Sequence, residues 1–140
     1  ARQEALVAAL TAGAPVPPGF DARRVDVARV ALLRKRAGEV ARHWPELAAT
    51  PHWPTEFAAW AAARPTRGSL RDGWDLARDR ALQGRLGPRA AAELAAREAG
   101  WRYDGHTAPR RRRAPALRRA GGAVAVQFLG RVRILRLPAN

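Results

Sequence analysis

The stretch of residues 21–43 constrains the fold more than any other. Val30, Leu33, Ala37, Val40 and Trp44 recur at spacings of 3, 4, 3 and 4, which puts them on one side of an α-helix. Asp21 is a good N-cap, because its short carboxylate can accept from the free backbone N–H groups of the first turn. Pro45 cannot donate to a helical ladder, so the helix stops just before it. At about 1.5 Å per residue this is the longest rigid element the chain offers. Shorter helices on either side are expected to pack on its stripe.

Those flanking helices carry their own boundary signals. Residues 2–12 read as a short amphipathic helix with Leu6, Val7 and Leu10 inward, ended by Gly13. Pro17-Pro18 and Gly19 make an extended connector into the long helix. After Pro45, Pro51 and Pro54, a helix is expected over residues 55–64, capped by Thr55, with Phe57, Trp60 and Ala61 inward and Pro65 at its end. Ser69 caps the next one, with Asp72 three residues on in a near-capping-box arrangement. Leu70, Trp74, Ala77 and Ala81 form its inner stripe. Gly73 costs that helix about 1 kcal/mol in propensity, which suggests a close approach to another backbone. Gly87-Pro88 opens a fifth helix and Gly100 closes it.

Beyond Gly100 the period changes from helical to two. Residues 123–129 and 131–136 alternate around Leu129-Gly130, with Val124, Val126 and Phe128 on one face and Val132 and Ile134 likewise paired. Trp101-Arg102-Tyr103 could add a strand, and residues 107–119, with two prolines and six arginines, read as an exposed arm or edge strand. The expected architecture is α+β: a mainly α-helical N-terminal bundle of about five helices over residues 1–100, and a small Arg-rich β-hairpin unit over 101–140. A length of 140 residues with nine aromatics allows one thin core. Trp44, Trp53, Trp60, Trp74 and Trp101 are expected to supply much of its burial. Val30, Leu33, Val40, Trp44, Phe57, Trp60 and Trp74 are the expected core.

Charge is divided unevenly. Residues 1–100 hold 16 basic against 11 acidic side chains, whereas residues 101–140 hold ten arginines against Asp104 alone. Lys35 is the only lysine. An arginine bias is a normal product of a high-GC genome, but the asymmetry between segments is not. Arg110, Arg111, Arg112, Arg113, Arg118, Arg119, Arg131 and Arg133 are therefore the candidate contact residues, with Arg136 beside them. They could track phosphates, dock an acidic protein or peptide, or merely keep an edge strand from aggregating.

The other polar groups point to structure. Asp72, Asp75 and Asp79 share one face of the fourth helix. They are too few for a metal site, so dipole pairing and ion pairs with the basic tail are expected. Arg29, Arg36 and His43, seven residues apart, read as a solvated outer stripe of the long helix. His43, His52 and His106 match no zinc or triad spacing. Cysteine is absent, which excludes disulfides and thiolate chemistry. No phosphate-cradling glycine pattern or nucleophile elbow occurs. The chain is thus expected to be no enzyme and to need no metal or cofactor. It has no apolar run of about 18 residues and no signal-peptide pattern, and reads as soluble and cytoplasmic, with no membrane partner.

A short Leu/Ala helix, the link VPPGF, the stretch ALLRKRAGEVARHWPEL, the aromatic pair of EFAAWAAARP and the helix opening GSLRDGWDLAR follow one another over residues 4–80. This order resembles the N-terminal helical domain of the partner proteins that accompany multinuclear non-heme iron-dependent oxidases, in a high-GC actinobacterial form with its own C-terminal β segment. Where that family has Tyr-Arg-Asn-Asn, this chain has Leu33-Arg34-Lys35-Arg36. The resemblance implies a non-catalytic adaptor that binds the iron-dependent oxidase and its ribosomally made, acidic precursor peptide. The basic hairpin would then offer an edge for strand addition. Members of that family have also been labelled DNA-binding domains, and helices followed by a basic hairpin could form a winged nucleic-acid binder.

Overall fold

In the computed structural model, which describes residues 1–120, 122–128 and 130–137, five α-helices precede all the strands. They are α1 (Arg2–Ala12), α2 (Ala22–His43), α3 (Trp53–Ala61), α4 (Ser69–Leu82) and α5 (Pro88–Gly100). The strands are β1 (Trp101–Arg102), β2 (Arg110–Arg111), β3 (Ala116–Ala120), β4 (Ala123–Phe128) and β5 (Arg131–Arg136). β1 and β2 form a two-stranded antiparallel sheet, and β3-β4-β5 a three-stranded one. The layout is α+β, and the β4–β5 hairpin turns at Gly130, with φ of +77°; Leu129 lies outside the described residues. Two compact units emerge among the described residues: 1–43 with 48–72, and 44–47 with the described residues between 73 and 137. Within the second unit α5 packs on β3 and β4.

In the first unit α2 is capped as its sequence dictates, with Asp21 Oδ1 accepting from the N–H groups of Arg23 (2.9 Å) and Arg24 (3.3 Å). Its buried residues are Val25, Ala37 and Val40. Leu33 is half-buried, and Val30, expected in the core, is 49% exposed. At about 100° per residue, Arg29 and Arg36 fall between Val25 and Val40 on the helix wheel, while Val30 lies about 80° beyond Val40, past Ala37 at the edge of the buried side. The expected outer cationic stripe is therefore turned inward at two of its members. Arg29 Nε donates to Ala9 O at 3.0 Å, one of the last carbonyls of α1, which have no helical donor of their own.

Arg36 is the second such cation. Its Nε donates to Asp72 Oδ2 at 2.8 Å, its Nη1 to Arg64 O at 2.8 Å, and its guanidinium lies over the Phe57 ring. Asp72 is only 1% exposed; it also accepts from Thr66 Oγ1 and from the Arg67 N–H, each at 2.9 Å. Asp72 sits in the first turn of α4, where the helix dipole favours it, and its ion-pair partner comes from α2. α3 starts at Trp53, ahead of the expected Thr55, with Pro54 in its first turn, and the Trp53 indole N–H donates to Ala37 O at 3.0 Å. Phe57 is fully buried. Trp60 is half-buried, its outer face covered by Arg64 at 4.7 Å.

The second unit is built on an aromatic column. Trp44 and Trp74, both fully buried, meet edge to face at 5.7 Å, and Trp74 meets Tyr103 at 5.1 Å. A Cβ on Gly73 would overlap the Trp44 indole; the close approach foreseen at this glycine is to a ring, not to a backbone. Glu98 of α5 accepts from Arg78 Nε at 2.8 Å, and the Tyr103 hydroxyl donates to Asp75 at 3.2 Å. No helix among the described residues is long and apolar enough to cross a membrane.

Candidate functional site

The Arg-rich strands rest on a helix made of small residues. α5 buries Ala90, Leu94, Ala95 and Ala99, and Ala95 and Ala99 cluster with Ala125, flanked by Ala96 and Ala120. Alanines on both sides let the helix and sheet backbones approach closely, which a larger residue would prevent. This decides which sheet face is covered. In the register of the sheet, Ala116, Gln127 and Val132 lie abreast, as do Arg118, Ala125 and Ile134, and residues abreast share a face. The face of β4 toward α5 thus carries Ala123, Ala125 and Gln127, and Val124, Val126 and Phe128 share the other face, as their alternation predicts. Gln127 is 1% exposed; with its amide turned to satisfy both ends, the nitrogen donates to Ala114 O at 2.7 Å and the oxygen accepts from the Gly130 N–H at 3.2 Å.

The opposite face is open except at Val124, which is 9% exposed, and the half-buried Val126. Leu117 lies beside Val126 and Arg133, Arg119 beside Val124 and Leu135, and Phe128 beside Arg131. Leu117, Phe128 and Leu135 are each about 60% exposed. This face is therefore apolar and cationic at once.

The arginines singled out by sequence are sorted by this frame. Arg119, Arg131 and Arg133 share the open face, with Arg131 and Arg133 exposed and without an ion-pair partner among the described residues. Arg118 and Arg136 belong to the other face, and Arg118 donates to Leu117 O. Arg110 and Arg111 form β2, where Arg111 stacks on Trp101 at 5.0 Å. Arg113 is exposed. Arg112 is committed internally: its Nε donates to Glu98 O at 2.9 Å and Trp101 O at 3.1 Å, binding the end of α5 to β1. Burial, then the nearby Arg118 and Arg102, lower its pKa from the usual arginine value.

β5 is the terminal strand of its sheet. Leu137 N–H donates to Gly122 O at 2.8 Å, so Leu137, and with it Leu135, Arg133 and Arg131, turn their backbone groups toward β4. In an antiparallel ladder the orientation alternates, which leaves the N–H and C=O groups of Val132, Ile134 and Arg136 pointing away from the sheet. On the covered side α5 runs mainly under β3 and β4, and a groove of about 980 Å³ remains beside β5. Ala92, Ala96 and Trp101 line it from one side, and Val132, Ile134 and Leu137 from the other.

The sequence missed this groove, because α5 shows its Ala92 and Ala96 only as ordinary helix formers. Glu93 also lines it and accepts from the Leu47 N–H at 2.8 Å. Burial pushes the Glu93 carboxyl above the usual glutamate range, against the opposing pull of that N–H and of Arg97. No cluster of three or more histidine, cysteine, aspartate or glutamate side chains that could hold a metal occurs among the described residues.

Residues 1–82 match the family described as SCO6045-like, C-terminal domain. A UPF0276 protein of Streptomyces avermitilis is 40% identical over 124 residues, which are 84% of this chain and 25% of that protein. The chain therefore spans a quarter of the length of this curated relative. No solved structure matches.

Proposed function

The chain belongs to the SCO6045-like C-terminal domain family, and from that premise we propose that it is a non-catalytic adaptor, acting in the cytoplasm, that binds a multinuclear non-heme iron oxidase together with the oxidase's acidic precursor peptide. The observation that carries this reading is the β5 edge: a terminal strand, exposed along its length, with outward backbone groups and two unpaired arginines. Such an edge accepts an extended chain by main-chain hydrogen bonding, and its charge favours an acidic one. The resemblance of residues 4–80 to oxidase partner proteins supports the choice of enzyme. The relative in which a segment like this one occupies a quarter of a longer chain supports a module that works beside another domain.

The test is co-elution of the protein with such an oxidase and its labelled precursor peptide. Replacing Arg131 and Arg133 together by glutamate should abolish peptide capture while the helical circular-dichroism signal stays unchanged. Undiminished capture by that double variant would remove the hairpin from the interface. The second reading, a nucleic-acid binder, is favoured by the ten arginines of residues 101–140. On that reading, affinity for a random duplex would fall by a factor on the order of 10³ between about 50 and 200 mM salt.

A further inference from the structure

The β5 edge presents different chemistry on its two sides, and this specifies a pattern for whatever strand is added there. Val132 and Ile134 face the groove, whereas Arg131 and Arg133 face the open side. We propose that the edge selects an extended segment in which apolar and acidic residues alternate, apolar ones entering the groove and acidic ones lying over Arg131 and Arg133. The proposal rests on the peptide-binding reading above and adds to it the sequence pattern of the occupant.

The register argument has three steps. An added strand hydrogen-bonds to the outward groups of Val132 and Ile134, so its residues opposite them project to the groove side. Ile134 is 49% exposed, and the groove beside it, about 980 Å³, has Ala92 and Ala96 on its far wall. Apolar side chains there remove water from both surfaces. Charged groups of both signs also line it, Glu46 and Glu93 against Arg89, Arg97 and Arg136, but against Val132, Ile134, Ala92 and Ala96 a carboxylate would exchange its hydration for apolar contact.

The intervening residues of the added strand stand opposite Arg131 and Arg133. In an antiparallel pair these are the non-hydrogen-bonded positions, where side chains are closest, and opposite charges placed there stabilise pairing. Neither arginine has an ion-pair partner among the described residues that an incoming carboxylate would have to displace. A uniformly acidic segment would desolvate carboxylates against Val132 and Ile134, and a uniformly apolar one would leave both arginines uncompensated. Alternation satisfies both sides.

Composition alone cannot mimic this, which gives a clean test. Two labelled eight-residue peptides of identical composition, one alternating valine and glutamate and the other with four valines followed by four glutamates, are titrated into the full chain by fluorescence anisotropy. The alternating peptide should bind at least about fivefold tighter, as two favourable cross-strand pairs allow. Arg131→Glu with Arg133→Glu should reverse the preference toward a valine–lysine alternating peptide. Ile134→Asp, at a half-exposed position, should weaken the valine–glutamate peptide while leaving circular dichroism unchanged. Equal, tight binding of both isomers would overturn the pattern yet leave an acidic-peptide surface standing. Binding of neither would overturn the pattern and the peptide-binding reading together.

Discussion

Removal of the Asp72 carboxylate is a severe single change in the first unit. The side chain is 1% exposed and holds Arg36 at 2.8 Å, Thr66 Oγ1 at 2.9 Å and the Arg67 N–H at 2.9 Å. Its partner guanidinium is itself only 12% exposed. Asp72→Ala leaves that cation without its anion and strands two further donors. Breaking a buried pair from one side costs about 3–5 kcal/mol, a large part of the roughly 5–15 kcal/mol that stabilises a typical domain. With a urea m-value of about 2 kcal/mol per M, the midpoint seen by circular dichroism should drop by about 1.5–2.5 M.

Arg36→Met combined with Asp72→Leu should cost clearly less than the two single changes summed, because neither charge is then orphaned. A loss below about 1 kcal/mol for Asp72→Ala, the range of an exposed pair, would refute the argument. It would mean that water reaches the pair in solution.

Gly73→Ala sets a helix-propensity gain of about 1 kcal/mol against overlap with the Trp44 indole, which overpacking values put at about 1–3 kcal/mol; urea unfolding should show a net loss, and a stabilised variant would contradict the close contact. The raised Glu93 pKa means that the folded state holds this proton more tightly than the unfolded chain. Stability from this group is therefore full below the unfolded value and is lost as pH rises through the folded one. Glu93→Gln should flatten the stability profile above the unfolded glutamate value of about 4.3, and an unchanged slope there would assign the effect elsewhere. The Asp104 carboxylate, held to about 2 by the N–H groups of His106 and Thr107 and the Thr107 hydroxyl, should titrate near that value in a carbon-detected NMR experiment. A midpoint in the usual aspartate range would mean that the 104–107 turn is open.

What the sequence determined by itself was local. The five helices follow from hydrophobic period, from Asp21, Gly13 and Gly100 at their ends, and from prolines that forbid continuation. The β4–β5 hairpin follows from period-2 alternation around a glycine that can adopt positive φ. These signals act over a few residues, so they survive without knowledge of the rest of the chain. Phe57, Trp44, Trp74 and Val40 were legible as core for the same reason.

Tertiary structure decided which faces turn inward and which polar groups accompany them. Arg36 reads as a surface cation until a carboxylate 36 residues away, buried in the first turn of α4, supplies its partner; Val30 then yields its place on the arc of α2. In the sheet, Ala123, Ala125 and Gln127 are covered because α5 offers only alanines against them, and close approach favours small residues over the larger ones on the other face. The groove beside β5 remains because α5 packs more on β3 and β4 than on that strand. Pairing and coverage depend on partners distant in the chain, and no local pattern encodes them.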